Sequence, residues 1–412
     1  MQFLRDLPDE ETILEEYFNP FADPPLLVNN HFHTPYSFSA FNNMTEIFNQ
    51  ANKEGIDALG INDFITMEGY DEFNRLAYEN KKFPLFNIEF MGLMKEEQEK
   101  GILINDPNNP GRVYFCGKGL SFPVNLSETN REVLESVTQN SLNQTEAMVV
   151  LLNKHLKKIK SPFNLDFKEI QAEYTRGLVR ERHLAKALRI KITDHYKSTK
   201  GKETFLKKLY GGKNGTVNID KPGELDNELR SKLLKKGGVA FVEEDNDAFL
   251  SLPEIKEIIL GAQGIPCYPV LLDDAAGNYT DFEKDFPELL KSLTKNRVFA
   301  VELIPGRNDF SIVKEFVSVF SEKGFIITFG TEHNTPDPAP LKVACRDNVP
   351  LDKDLIAVNY QSTCVIAAHQ YFVAKGKPGY LTPEGFPRLE KQDDFIAIGN
   401  AVIRHFIKKQ KD

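Results

Sequence analysis

Covalent and zinc-type cysteine frameworks are missing from this chain. Its 412 residues hold four cysteines, Cys116, Cys267, Cys345 and Cys364, scattered with no C-x-x-C spacing. That pattern reads as free thiols in a reducing cytoplasm rather than disulfides or a zinc ribbon. No apolar run approaches the length of a membrane span. The opening stretch MQFLRDLPDEETILEEYF is acidic and carries no apolar signal core. A cytoplasmic location with no membrane partner is therefore expected. Positive charge is in deficit, with 51 Lys and Arg against 60 Asp and Glu, a net charge of −9. This argues against a protein that grips polymeric nucleic acid through a basic surface, and leaves room for a local basic pocket. There are no internal repeats and no low-complexity segments. A dinucleotide-binding glycine fingerprint is absent, and CGKGLS (116–121) lacks phosphate-loop spacing.

What is present is an α/β rhythm. The length exceeds the usual single-domain range, so one large α/β domain with an insertion, or two domains, is expected. Strand-like runs fall at 26–30, 56–62, 83–90 and 112–117. Helical patterns fall at 43–55 and 67–82. Asn43 and Glu46 are spaced as a capping box, and Gly55 is a stop. The alternation implies a parallel sheet with helical crossovers. From about 127 to 236 the chain turns polar, Lys-rich and helical, which reads as an insertion. The rhythm then resumes with strands at 264–272, 297–304 and 325–330, each preceded by a helix. Helical segments at about 352–376 and 392–409 close the chain. Some seven strands separated by helices suit a closed or nearly closed barrel better than a doubly wound sheet.

Polar clusters fall where strands end, and in such folds these ends share the face that hosts the site. The chain has eight histidines, and two of them, His31 and His33, follow the first strand-like run together. Alternation along a strand puts both rings on one side, as chelation needs. Asn62 and Asp63 end the second strand, Glu89 the third, and TEHN (331–334) follows the last. Imidazoles and carboxylates that converge in this way are ligands for Zn²⁺, Mn²⁺ or Fe²⁺. The competing readings are a chance surface pair of histidines and solvated strand-end carboxylates, Glu302 among them. His155, His195 and His405 read as solvent-facing, and His369 as a satisfied helix residue.

The ordered motifs resemble the PHP (polymerase and histidinol phosphatase) superfamily of metal-dependent phosphoesterases. HFHTPYSFSAF resembles H-x-H-T-x-x-S. GIDALGINDFITMEGYDEF resembles the stretch that ends in T-D-H, and FPLFNIEF resembles the strand that delivers a bridging Glu. LPEIKEIILGAQGIPCYPV resembles the helix and strand that end in A-H-P. GFIITFGTEHNTP resembles the last G-S-D-x-H loop, and RERHLAKAL resembles R-x-H-[IF]-A-x-A-L of the nucleotide-hydrolysing branch. The resemblance implies a distorted seven-stranded (β/α) barrel of PHP type with a mainly helical insertion. It divides the chain into a first barrel half at 1–126, the insertion at 127–236, a second barrel half at 237–345, and a C-terminal helical segment packed on the barrel at 346–412.

The resemblance carries over His31, His33, Glu89 and Glu332 as metal ligands. Other family histidines are replaced by Phe64, Ser39, Tyr268, Asn334 and Ser121 or a neighbour. One divalent ion per chain is expected instead of three. Asp63, at the T-D-H position, is expected to hold a ligand ring, and His333 to serve beside the last loop. Arg182, His183, Lys118 and Arg307 could supply positive charge toward a small phosphorylated substrate, although Lys118 reads as a solvated surface residue. Two functions remain open: a phosphoesterase acting on a nucleotide or small phosphate, and a degenerate relative that binds without catalysis.

Overall fold

Short runs of buried apolar residues become strands, and the amphipathic stretches between them become covering helices. The computed structural model describes residues 1–17, 24–336 and 339–409. Seven strands form one sheet in chain order: β1 (Val28–Phe32), β2 (Ala58–Phe64), β3 (Phe83–Leu93), β4 (Arg112–Lys118), β5 (Ile265–Val270), β6 (Ala300–Leu303) and β7 (Ile326–Phe329). The local signals act as read. The helix Met44–Glu54 starts at Asn43, whose side chain accepts the Glu46 N–H, and stops at Gly55 with φ of 70°.

The pairing direction differs from the parallel sheet that the alternation implies. β1, β2 and β3 are parallel, as are β5, β6 and β7, but β4 runs antiparallel to both β3 and β5. A parallel return needs a crossover of a dozen or more residues, usually a helix. The β3–β4 connection holds only the five-residue helix Lys95–Glu99, so β4 folds straight back along β3.

The barrel is nearly closed, with an unsealed seam between β1 and β7. Across it the Phe32–Glu332 bridge joins β1 to the segment after β7, with His33 N–H donating to Glu332 O at 2.7 Å. The helix Lys353–Ala374 attends to edge groups that no strand pairs. Asn359 Oδ1 accepts from Phe329 N–H, Ser362 Oγ from Ile327 N–H, and Gln370 Oε1 from Phe86 N–H.

The reversal of β4 also moves the start of the insertion. Following a strand's C-terminal end, the insertion is expected to leave from the site face. Lys118, the last residue of β4, instead pairs with Ile265, the first of β5, and so lies at the opposite end. The helix Glu128–Lys158 makes up the distance. Its 31 residues span about 46 Å at 1.5 Å per residue. Its early residues Val133, Leu134 and Val137 pack on the barrel core. Its later residues Met148, Leu152 and Leu156 belong to a second core, shared with the helices Glu181–His195 and Pro222–Leu229. No helix among the described residues is long and apolar enough to cross a membrane.

His369 lies buried within the helix Lys353–Ala374. Its Nε2–H donates to Gln263 O at 2.6 Å, and its Nδ1 accepts from Tyr380 N–H at 3.0 Å. Burial lowers its pKa to about 4. As pH falls from 6.5 toward 4 the unfolded chain takes up a proton that the folded chain refuses, so stability is lost in that window. Urea unfolding at pH 7 and pH 5 measures it. The loss between the two is expected to be smaller in His369→Gln by about 2 kcal/mol; equal losses in variant and wild type contradict the assignment.

Candidate metal centre

His31 lies on β1 and His33 one residue beyond its end; both rings are buried inside the barrel. Glu89, in the middle of β3, faces them. His33 Nε2 lies 3.2 Å from His31 Nε2 and 3.1 Å from Glu89 Oε2, and His31 Nε2 lies 3.8 Å from Glu89 Oε2. The other nitrogen of each ring is held. His31 Nδ1 bonds the Glu302 carboxylate. Ser37 Oγ donates to Asp63 at 2.5 Å, so at 3.2 Å it accepts from His33 Nδ1. This fixes the tautomers and leaves both Nε2 lone pairs turned toward Glu89. Asn62 Nδ2 lies 3.0 and 3.1 Å from the two nitrogens of His31.

Glu89 Oε2 is buried without a hydrogen bond. Burial raises the Glu89 pKa to about 7 and lowers that of His33 to about 3. Two imidazole nitrogens, that of His31 also within reach of the Asn62 amide, thus converge on a carboxylate oxygen. This donor set fits a divalent cation. His31, Cys116 and Glu302 form a second, overlapping group of possible ligands.

Glu332 joins neither group. Its carboxylate is paired with Arg307 and accepts from Asn334 at 2.6 Å. Its backbone and that of His333 sit in the left-handed region, with φ of 68° and 60°. Such conformations in non-glycine residues persist only when surrounding bonds over-determine them. Here His33 N–H holds Glu332 O, and Ala40 N–H holds His333 O. The His333 ring is engaged on both nitrogens, by Thr331 Oγ1 and Ala339 O.

His183 is buried at the start of its helix, its Nδ1 accepting from Arg180 N–H at 2.9 Å. It caps a helix instead of facing the cavity. Asp63 touches no ligand ring directly. It accepts from Thr34 N–H, Thr34 Oγ1 and Ser37 Oγ, and so fixes the loop whose Ser37 holds His33. Phe64, at the position of a family histidine, stacks on His33 with ring centroids 4.8 Å apart. Lys118 is fully buried, not solvated: its ammonium is paired with Glu302 inside the barrel. Glu302 is the functional residue that sequence reasoning passed over. An acidic residue inside the apolar run RVFAVELI was the available signal, since a buried carboxylate demands a partner.

The centre opens into a cavity of about 950 Å³, lined by the barrel mouth and by the insertion. Arg180 and Arg182 reach it from the start of the helix Glu181–His195, and Arg307 from the barrel rim. Neither Arg180 nor Arg182 has a carboxylate partner among the described residues. Arg180 lies over the Phe64 ring, and Arg182 bonds Asn227 at 3.2 Å. Their neighbour Glu181 is matched by Arg230 at 2.5 Å and Lys235 at 2.7 Å. An adjoining chamber of about 490 Å³ is lined by Phe64, Phe249, Asn140, Gln144 and Arg180.

Comparison with known proteins agrees with this architecture. Residues 29–181 match the model of the PHP domain family. A structure from Bifidobacterium adolescentis, assigned as a metal-dependent phosphoesterase, superposes with a TM-score of 0.52 at 16% identity, covering 82% of this chain and 96% of that one. An amidohydrolase structure from Chromobacterium violaceum, with bound sulfate and no metal, gives a TM-score of 0.49 at 16% identity over 80% of this chain and 96% of that one. None of the curated proteins searched matches. The chain has a PHP-like fold, with candidate metal-binding triads.

The end of β7 must pass close to His31, and Gly330 permits it. A Cβ there would lie 2.2 Å from His31 Cβ and 2.7 Å from His31 O. Gly330→Ala is expected to destabilise the fold by roughly 1–3 kcal/mol through overpacking and to weaken ion binding by displacing His31. Urea unfolding and zinc titration check this; wild-type values in both would contradict it.

Proposed function

We propose that this chain is a metal-dependent hydrolase of a phosphate ester, a nucleotide or small phosphorylated compound. It uses one divalent ion, Zn²⁺, Mn²⁺ or Fe²⁺, on His31, His33 and Glu89. The observation that carries the reading is the convergence of two Nε2 atoms on a buried carboxylate oxygen that lacks a hydrogen bond. An ion held there supplies Lewis-acid chemistry toward a phosphoryl oxygen.

The remaining work falls to side chains. One carboxylate among the three ligands leaves a divalent ion with residual positive charge, which favours an anionic substrate. Arg180 and Arg182 face the same cavity and bind the phosphate from the insertion side. Guanidinium groups suit this role because their forked donors match phosphate oxygens. The adjoining chamber, with its two phenylalanines and amide side chains, takes the flat or apolar part of the ester. Asp63, through Ser37, holds His33 in register. The phosphoesterase assignment of the Bifidobacterium structure belongs to the same reaction class. The four free, buried cysteines suit a reducing cytoplasm.

Elemental analysis of protein purified without added metal, combined with a phosphoester panel, tests the reading. His33→Ala and Glu89→Ala are expected to lose ion and turnover together, because each removes one of three ligands. Asp63→Ala should weaken ion affinity by roughly 10–100-fold without abolishing it. Arg182→Ala should raise KM and leave the ion in place. Wild-type protein that binds its ion yet is inert toward every phosphoester would sink the hydrolase and leave a ligand-binding protein.

A further inference from the structure

The second donor group, His31, Cys116 and Glu302, lies deeper in the barrel than the first. A cation of the chain lies beside it, on the other oxygen of Glu302. Lys118 projects inward from the end of β4 and is fully buried. Its ammonium pairs with Glu302 Oε1 and donates to Asn62 Oδ1 at 3.2 Å and to Asn30 O at 3.3 Å. An ammonium has three donors, and here it has three oxygen acceptors. A carboxylate, a side-chain amide oxygen and a main-chain carbonyl are also the oxygen types that a small inorganic cation gathers. Cys116 completes the surround: its Sγ accepts from Asn62 Nδ2 at 3.4 Å and lies 3.9 Å from Glu302 Oε2.

Burying such a pair is no bargain for stability, because desolvating the two charges offsets most of their attraction. A Met or Leu on β4 would fill comparable space. What Lys118 adds is a fixed positive charge beside the ion site, and that charge commits Glu302. With Oε1 engaged by Lys118, and by Thr328 at 3.1 Å, the other oxygen is left for His31 Nδ1–H.

We propose that the Lys118 ammonium is a tethered resident cation that neutralises Glu302 and so keeps a second ion out of the second donor group, confining a divalent ion to His31, His33 and Glu89. The inference rests on the one-ion reading above and goes beyond it. The barrel holds one exchangeable cation and one that belongs to the chain, and Glu302 serves as counter-ion to the tethered one while orienting His31 for the other.

Cobalt(II) titration of the full-length protein tests this. Wild-type protein is expected to take up one Co²⁺ without a thiolate-to-cobalt charge-transfer band, since Cys116 is not a ligand. Lys118→Ala should take up one more ion and gain that band. Two ions or a thiolate band in the wild type overturns the proposal, as does a folded Lys118→Ala protein with no additional ion. If Lys118→Ala does not fold in ordinary buffer, methylammonium chloride should restore folding where equal sodium chloride does not; failure of that rescue also overturns it. A wild type that binds no ion, beside a variant that binds one with the band, would remove the one-ion reading and keep the resident cation.

Discussion

The carboxylate of Glu302 has no water to turn to. It is wholly buried on β6, with His31 on one oxygen and Lys118 and Thr328 on the other. Burial alone would push its pKa up, but Lys118 and His31 more than offset this and hold it at about 2. Much of the centre depends on that ionised group. It sets which nitrogen of His31 carries the proton, and so which one faces Glu89. It also gives Lys118 a reason to be charged inside a barrel. Removing one member of such a pair leaves an uncompensated buried charge, at a typical cost of roughly 3–5 kcal/mol. The three residues are therefore best regarded as a unit.

The antiparallel course of β4 makes this unit possible. Arg112 opens the strand near the mouth, where it lines the cavity and pairs with Glu244 at 2.6 Å. Lys118 closes it at the deep end. One strand thus delivers cations to two levels of the barrel, six residues apart. A parallel β4 would have put Lys118 at the rim, in water, where its charge would be screened. The same reversal drops the chain at the wrong end for a lid. The helix Glu128–Lys158 returns it to the mouth, which brings Arg180 and Arg182 over the ion site.

Local structure was legible in the sequence because its causes are local. The Asn43–Glu46 cap, the Gly55 stop and the side-chain alternation that puts His31 and His33 on one side depend on residues a few positions apart. The resemblance added Glu89, which a lone strand-end carboxylate could not have established. Pairing direction was not legible: a helix of five residues and one of ten to twelve both interrupt a strand pattern, and in this sheet the longer ones carry the crossovers. Lys118 ends a strand run, where a lysine is ordinarily solvated, and nothing nearby announces Glu302 almost two hundred residues on. His183 and His333 drew notice as histidines near motifs. Their nitrogens are engaged by main-chain and hydroxyl groups, a use of imidazole that leaves no trace in spacing. Glu332 has the right chemistry, but its carboxylate is engaged by Arg307.

Charge matching across the cavity gives the arrangement its direction. In this centre Glu302 is matched by Lys118, Glu332 by Arg307, Glu181 by Arg230 and Lys235, and Glu244 by Arg112. Asp63 is met by hydroxyl and main-chain donors. Glu89, on the barrel side, has no such match among the described residues. The guanidinium groups without one are Arg180 and Arg182, on the insertion side. They cannot match each other directly, because the cavity lies between. A cation at Glu89 and an anion against the arginines would satisfy both sides and attract one another across the gap. Each would be bound more tightly with the other present, since the low dielectric of an enclosed cavity strengthens such pairs. The charge pattern therefore favours an ion and an anionic ligand bound together over either one alone.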